Sequence, residues 1–308
     1  MLRTLDDVVS AARQLSPARI AVVAGHDPDA LCAIDEASRI GLATGILIGD
    51  RNRILASAAG VGCRVSPEQV VDVPDDVAAA RRAIAMVRGG EVDLIMKGKI
   101  ATATLVHAVL DRETGLRGRR LLSQVVVFQV PGLDRLMLLS DAAINIAPTL
   151  DQKADICRNA IDVAHCLGVE VPNVAVLCAL EFVNSGMPAT IDAAALTQMN
   201  RRGQIDGAYL EGPLALDAVL SPDAAHKKRL ESPVIGGADI LIAPSIEAAN
   251  IMYRSILYFA HGESAGVVVG AGVPIVLLSR AESPQTKLRS IAIAKLVAAT
   301  GRSDGAAA

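Results

Sequence analysis

Short apolar runs alternate with amphipathic stretches along almost the whole chain, and this alternation constrains the fold more than any single motif. Runs of about four to eight apolar residues suit strands buried on both faces, and stretches of 3.6-residue periodicity suit the helices that cover them. The pattern predicts an α/β chain with mostly parallel strands. Strands are expected at 19–24, 44–48, 92–96, 125–130, 136–139, 173–178, 205–210, 239–243, 266–269 and 274–278. Asp27 is placed to cap a helix that has Pro28 in its first turn. Thr149 and Gln152 have capping-box spacing ahead of Ile156, Ala160, Val163 and Leu167 on one helical face, and Gly168 follows as a stop. A glycine- and arginine-rich link at Gly115–Arg120 breaks the pattern, and a second crossing falls near Gly262–Gly266. Two α/β domains are therefore expected: residues 1–120 with 269–308, and an inserted domain over 121–268.

Hydrophobic residues make up 52% of the 308, enough for large cores, yet aromatics are 2% and Trp is absent. Stacking platforms for bases or sugars are excluded on that ground. Lys and Arg number 30 against 33 Asp and Glu, with no basic run, so nucleic acid is not an expected partner. Charge within Met1–Asp7 argues against a signal peptide. The longest uncharged apolar stretch, Ala265–Leu278, is broken by Gly266, Gly270, Gly272 and Pro274, so a membrane span, which needs about 20 residues, is not expected. Cysteines at 32, 63, 157, 166 and 178 form no C-x-x-C pair, which points away from zinc and from a disulfide framework and towards a reducing cytoplasm.

In open α/β sheets ligands bind beyond the carboxyl ends of strands, so the segments after the predicted strands are where chemistry is expected. In Ser279-Arg280-Ala281-Glu282-Ser283-Pro284, Ser283 is a good N-cap and Pro284 suits the first helical turn. Together with Arg280 they form an anion site, or else Arg280 is a surface side chain beside an ordinary cap. Lys97-Gly98-Lys99-Ile100-Ala101-Thr102 brings two ammonium groups and a glycine before a helix that Thr102 could cap, a combination suited to phosphate, or a solvated turn. After 136–139, Asn145 is placed either to bind a ligand oxygen or to brace its own turn. Glu211 and Asp217 flank a Gly-Pro turn, each a base or an arginine partner. Glu247, Asn250 and Arg254 share one face of a helix opened by Pro244-Ser245.

Two patterns mislead. Gly262-Glu263-Ser264-Ala265-Gly266 fits G-x-S-x-G, but it follows a helix and enters a strand, the reverse of a nucleophile elbow, and no histidine lies after His261. Gly270-Ala271-Gly272 lacks the third glycine and the helix of a dinucleotide fingerprint, and the first βα turn, Gly25–Asp29, is acidic. The five histidines have no metal-ligand spacing, so no metal is expected.

Taken in order, Met96-Lys97-Gly98, Leu121-Leu122-Ser123, Asn145-Ile146-Ala147-Pro148, Met187-Pro188-Ala189-Thr190, Arg202-Gly203-Gln204-Ile205, Glu211 to Asp217, Ser232-Pro233-Val234, Ile246 to Ile251 and Ala271 to Arg280 resemble the phosphate acetyltransferase and phosphate butyryltransferase family over nearly the whole chain. The butyryl branch, and the transferase domain of bifunctional enoyl-CoA hydratase/phosphate acetyltransferases, is the nearer likeness; no hydratase module is expected. The resemblance implies two α/β domains of the isocitrate/isopropylmalate dehydrogenase type with an interdomain cleft, a cytoplasmic homodimer, and no cofactor beyond coenzyme A as substrate or product. It implies the reaction acyl-CoA plus phosphate to acyl phosphate plus CoA, with acyl groups from acetyl to butyryl. By the same likeness Arg280 binds phosphate, Ser279 donates to the reacting carbonyl or thiol, and Asn145, Asn250 and Arg254 line the cleft. Lys97, Lys99, Thr102, Glu247 and Thr286 are further phosphate or CoA candidates. The acetyl branch carries an aspartate seven positions after the serine; here that position is Thr286, so the base stays unassigned, with Asp217 or Glu282 as substitutes. A metal- and NAD-dependent hydroxyacid dehydrogenase and a nonenzymatic acyl-CoA-binding protein are the alternatives.

Overall fold

The computed structural model describes Met1–Ser279 and Ala281–Gly301. Internal contacts divide the chain into two compact units. The terminal unit runs from Asp6 to Arg120 and resumes at Ala265; the central unit comprises Leu121–Ser264 with Met1–Leu5.

The terminal unit holds α1 (Leu5–Arg13), β1 (Ala18–Val23), α2 (Pro28–Arg39), β2 (Ala43–Gly49), α3 (Arg51–Gly60), β3 (Val70–Asp72), α4 (Asp76–Arg88), β4 (Leu94–Lys97) and α5 (Thr102–Val109). Its strands lie in the order β3-β2-β1-β4, with all three neighbouring pairs parallel. β1 pairs with β2 through Ala18↔Ala43 and with β4 through Ile20↔Leu94. Five of its six residues are buried, as expected of a central parallel strand that reads as one apolar run.

α2 starts where its chemistry says it should: the Asp27 carboxylate accepts from Ala30 N at 2.9 Å and Pro28 opens the helix. β3 was not predicted. It is a short strand of Val70, Val71 and Asp72 entered through a 3-10 turn at Pro67–Gln69, too brief for a periodic signal.

The central unit contains β5 (Ser123–Gln129), β6 (Met137–Ser140), α6 (Leu150–Cys166), β7 (Asn173–Leu177), α7 (Pro188–Arg201), β8 (Tyr209–Leu214), α8 (Leu216–Leu220), α9 (Pro222–Lys227), β9 (Ile240–Ile242) and α10 (Ile246–Tyr258). Its strand order is β5-β6-β9-β7-β8, with β5–β6 antiparallel and the other pairs parallel. The predicted capping box is present: Thr149 Oγ1 accepts from Gln152 N, and Gln152 Oε1 accepts from Thr149 N at 2.8 Å. Gly168, at φ +83°, turns the chain out of α6. Val126, Phe128, Leu139, Ala175, Leu241, Tyr253 and Ile256 belong to the apolar core beneath α10.

The strand predicted at 205–210 lies four residues later. Residues 203–208 form a turn instead, because Gly203 and Gly207 take φ of +71° and +72° and Asn200 Nδ2 ties down the carbonyls of Ile205 and Ala208. Glu211, Gly212 and Pro213 are therefore inside β8, and the expected Gly-Pro turn does not exist; the Gly212–Pro213 peptide is cis.

The chain then forms β10 (Glu263–Val269), the antiparallel β11 (Ile275–Val276), and α11 (Pro284–Thr300). β11 runs parallel to β4, through Ile275↔Ile95 and Val276↔Met96. α11 is buried along most of its length. Three of its cations go in with it, and each has a partner: Lys287 donates to Glu282 O, Arg289 to Asp6, and Lys295 to Leu15 O and Leu42 O. That satisfies the rule that buried charge must be hydrogen-bonded. Among the described residues no helix is long and apolar enough to cross a membrane.

Candidate functional site

In the terminal unit, β1, β4 and β11 are parallel neighbours, so their carboxyl ends emerge on one edge. The residues after β4 are fastened to those after β1: Gly98 N donates to Val23 O and Lys99 N to Ala24 O, both at 2.9 Å. Gly98 is required there, because a Cβ would lie 2.4 Å from Ala24 O. Lys97 is buried at 7% exposure, with Nζ 3.4 Å from Gly98 O, and Lys99 projects to solvent.

Of the two carboxylates in the turn after β1, only Asp29 is open to solvent, its side chain 45% exposed and 3.8 Å from Lys287 Nζ. Asp27 is buried and engaged as the α2 cap. His26, 7% exposed, has Nε2 2.8 Å from Arg53 Nη2, and because a guanidinium only donates, Nε2 accepts and Nδ1 carries the proton. Burial and the nearby Arg53 and Lys99 cations depress the His26 pKa, which holds the ring neutral. Cationic side chains thus gather on this edge. Sequence reasoning missed His26 and Arg53, since their proximity depends on α3 folding back beside the first turn.

Beyond β11, Ser279 is exposed, and its Oγ accepts from Ala281 N at 3.3 Å. Arg280 lies outside the described residues. Ser283 caps α11 by accepting from Thr286 N at 3.1 Å, and the Thr286 hydroxyl lies 3.1 Å from Ser283 Oγ, so Thr286 belongs to the cap. Glu282 is buried at 6% exposure. Lys287, which the sequence did not single out, is 3% exposed; its Nζ donates to Glu282 O at 2.6 Å and sits 3.8 Å from Asp29. It secures the segment after β11 to the first turn of α2. Thr102 is not the α5 cap: Ala101 holds that position with no side-chain bond, and Thr102 is already helical.

In the central unit the carboxyl ends of β6, β9 and β7 share an edge. Asp141, joined to Ser140 by a cis peptide and 4% exposed, organises the loop after β6. One carboxylate oxygen accepts from Gln124 N, Ala143 N and Ile144 N; the other accepts from Asn145 N at 3.0 Å and Asn145 Nδ2 at 2.5 Å. Burial pushes this carboxyl up while the five donors pull it back. The Asn145 amide also donates to Leu122 O at 2.8 Å, so its nitrogen braces the loop, the second of the two roles open to it by sequence.

Asn250 on α10 reaches the same loop, its Nδ2 donating to Ala142 O at 3.2 Å. Arg254 stacks over the Tyr253 ring at 4.8 Å. Glu247 is exposed in the first turn of α10, its carboxyl lowered by its own backbone N–H and by Ser245. Asn145 and Asn250 are thus brought together.

Asp217 is not part of this group of contacts. It lies in α8, bound by Lys228 Nζ at 2.7 Å, and the same ammonium binds Glu181 at 2.6 Å. The hydrogen bond from Lys228 holds the Asp217 carboxyl below its ordinary range, the opposite of a tuned base. Glu211 accepts from Ser232 Oγ and from Tyr209 OH. Ser264 of the decoy pattern is buried in β10, with Oγ 3.1 Å from Tyr253 OH, and is no nucleophile elbow.

An α/β chain with cationic side chains, an exposed serine and a helix start beyond parallel strands belongs to the class of proteins that bind anions at strand ends, and comparison with known proteins narrows that class. Over 302 residues the chain is 42% identical to a phosphate butyryltransferase of Clostridium beijerinckii, covering 98% of this chain and 100% of that one. It is 44% identical over 303 residues to a phosphate acetyltransferase of Rhizobium meliloti, covering 98% and 96%. The crystal structure of a branched-chain phosphotransacylase from Enterococcus faecalis V583 superposes with a TM-score of 0.78 at 32% identity, covering 91% of this chain and 99% of that one. Residues 76–295 match the phosphate acetyl/butaryl transferase model, and the chain belongs to that family. This supports the transferase reading over the dehydrogenase and the acyl-CoA-binding alternatives.

Proposed function

We propose that the chain catalyses acyl-CoA plus phosphate to acyl phosphate plus CoA, with acyl groups from acetyl to butyryl. The observation that carries the reading is the edge where Lys97-Gly98-Lys99 and Ser279 emerge from adjacent parallel strands, in a member of this family. A phosphate oxygen must attack the thioester carbonyl, which requires cations on the phosphate, a donor to the developing oxyanion, and a stable leaving group. Lys99, with the buried Lys97 behind it, supplies positive charge, and the α11 N-terminus adds a partial one. By family likeness Arg280 neutralises the phosphate and Ser279 donates to the carbonyl oxygen or the thiol.

The C–S bond breaks with the electron pair on sulfur, and a thiol of pKa about 8.5 leaves without a Lewis acid, so neither metal nor cofactor is part of the reading. With Asp217 paired to Lys228 and Glu211 accepting from Ser232 and Tyr209, the buried Glu282 is what is left of the earlier candidates for a dedicated base. Attack by phosphate dianion on the thioester needs none, because the nucleophile is already an anion. Two α/β domains of the isocitrate dehydrogenase type, a homodimer and a cytoplasmic setting complete the proposal.

The deciding experiment follows CoA thiol release from acetyl-, propionyl- and butyryl-CoA with and without inorganic phosphate. Release is expected only with phosphate, and the three rates give the chain-length preference. Phosphate-independent release, or none with any of the three, overturns the reading.

A further inference from the structure

Two of the five cysteines, Cys32 and Cys63, lie in contact. Cys32 sits in the second turn of α2, and Cys63 follows α3 in an irregular segment. Their sulfurs are 3.7 Å apart, with the Cys63 thiol donating to Cys32 Sγ. Both residues are half-buried, open enough for a reagent and sheltered enough to keep their positions. A disulfide needs about 2.05 Å between sulfurs, so closure requires a movement of roughly 1.7 Å. Cys63 follows Gly62, at φ +71°, on a connection with no regular structure until Pro67, so the movement falls on a loop and not on a packed helix.

A cavity of 510 Å³ opens beside the pair, lined by the Cys32 neighbours Leu31, Ile34 and Asp35, by Ser38 and Arg39 further along α2, and by the Cys63 neighbour Arg64. Arg39 is held by Glu36 at 2.6 Å, and Arg64 is the guanidinium at the Cys63 end of the cavity that can meet a carboxylate of a small reagent.

We propose that Cys32 and Cys63 form a reversible redox site, oxidised to an intramolecular disulfide by a low-molecular-weight disulfide that carries carboxylates. Cys32 enters first: its thiolate attacks one sulfur of the reagent, the reagent S–S bond breaks, and one thiol departs with a proton. Cys63 then gives its proton to solvent and attacks Cys32 Sγ, releasing the second thiol. Two cysteine thiols are oxidised and one external disulfide is reduced to two thiols, which balances atoms and electrons. The order follows from the hydrogen bond, in which Cys63 donates and so favours negative charge on Cys32 Sγ, while burial and that bond push the Cys63 thiol up to about 12. Cys157 is fully buried and also pushed up to about 12 by desolvation, and it serves as an internal control that should not react.

The test incubates the full chain with glutathione disulfide and reads intact mass and non-reduced peptides. Closure is expected to remove about 2 Da, to join the peptides that carry Cys32 and Cys63, and to reverse with dithiothreitol. In Cys63→Ser the resolving sulfur is gone, and a stable glutathione adduct on Cys32 is expected; Cys32→Ser should form neither the adduct on Cys63 at a comparable rate nor the cross-link. Recovery of Cys32 and Cys63 as separate thiols in the wild-type chain, or faster labelling of Cys157 than of Cys32, overturns the proposal. So does a cross-link between any other pair in its place.

Discussion

Replacing Asp141 by Asn keeps the shape of the side chain and changes the chemistry of one atom. In the native loop, three backbone N–H groups converge on one carboxylate oxygen and two donors of Asn145 on the other. The best orientation of the new amide keeps its oxygen towards the three and turns an NH₂ towards the two. Both donors of Asn145 then lose their acceptor in a site where residue 141 is 4% exposed. At about 1–3 kcal/mol for each buried donor left unsatisfied, the expected loss is about 2–6 kcal/mol, a large part of the stability of an ordinary domain. Urea unfolding should show the midpoint falling with the slope unchanged. Because Asn145 Nδ2 also holds Leu122 O, and Ala142 O receives Asn250, phosphate-dependent thiol release should weaken in the same variant. A stability change below about 0.5 kcal/mol, the range of an ordinary surface substitution, would refute the idea that this carboxylate organises the loop.

Arg280→Ala should lower kcat or phosphate affinity by about 10²-fold or more, read as kcat/KM for phosphate; wild-type kinetics would remove Arg280 from the site. Asp217→Asn should leave turnover within about threefold at neutral pH, because the carboxyl is already ionised and paired with Lys228, and a larger loss would restore it as a base. Its lowered pKa places the pairing above the ordinary carboxylate range, so the contribution disappears only as pH falls through the folded value, below about 3.9. Lys295, 3% exposed with Nζ on Leu15 O and Leu42 O, has its pKa lowered by burial. Between that lowered value and the unfolded value of about 10.4 the unfolded chain binds more protons, so stability rises with pH. Lys295→Met should lose this rise, and parallel wild-type and variant curves of melting temperature up to about pH 10.5 would contradict it.

Much of the fold could be read from apolar periodicity because the parallel strands are buried on both faces and so appear as uninterrupted runs. β1, β4 and β9 are of this kind. Caps were equally legible where a side chain bonds within three residues, as at Asp27, Thr149 and Ser283. The errors have a common origin in interactions outside the local window. The start of β8 was displaced because Ile205 looks like a strand residue until Asn200, on the preceding helix, is seen to hold its carbonyl. β3 needs its pairing with β2, through Leu47↔Val70, to exist at all.

The candidate site shows the same division more sharply. A strand end followed by Lys-Gly-Lys or Ser-Arg is visible as text, and the chain does bring Lys97, Lys99 and Ser279 to one edge, because β4 and β11 are parallel neighbours. What a charge is for depends on its partner, and partners are distant in sequence. Asp217 could be read as a base or as the partner of a cation, and Lys228 is that partner; Asn145 could be read as a ligand group or as a brace, and Asp141 and Leu122 use its nitrogen as a brace. Lys287 was passed over as one more helical lysine, yet its ammonium is buried and reaches back to Glu282 O. A cation in that position is tied to the backbone after β11 and lies near Asp29 of α2, so it holds two segments that are far apart in sequence. The candidates that a motif could name sit at strand ends, and residues such as Lys287 and Asp141 that fasten those segments carry no motif because their only requirement is a partner across the fold.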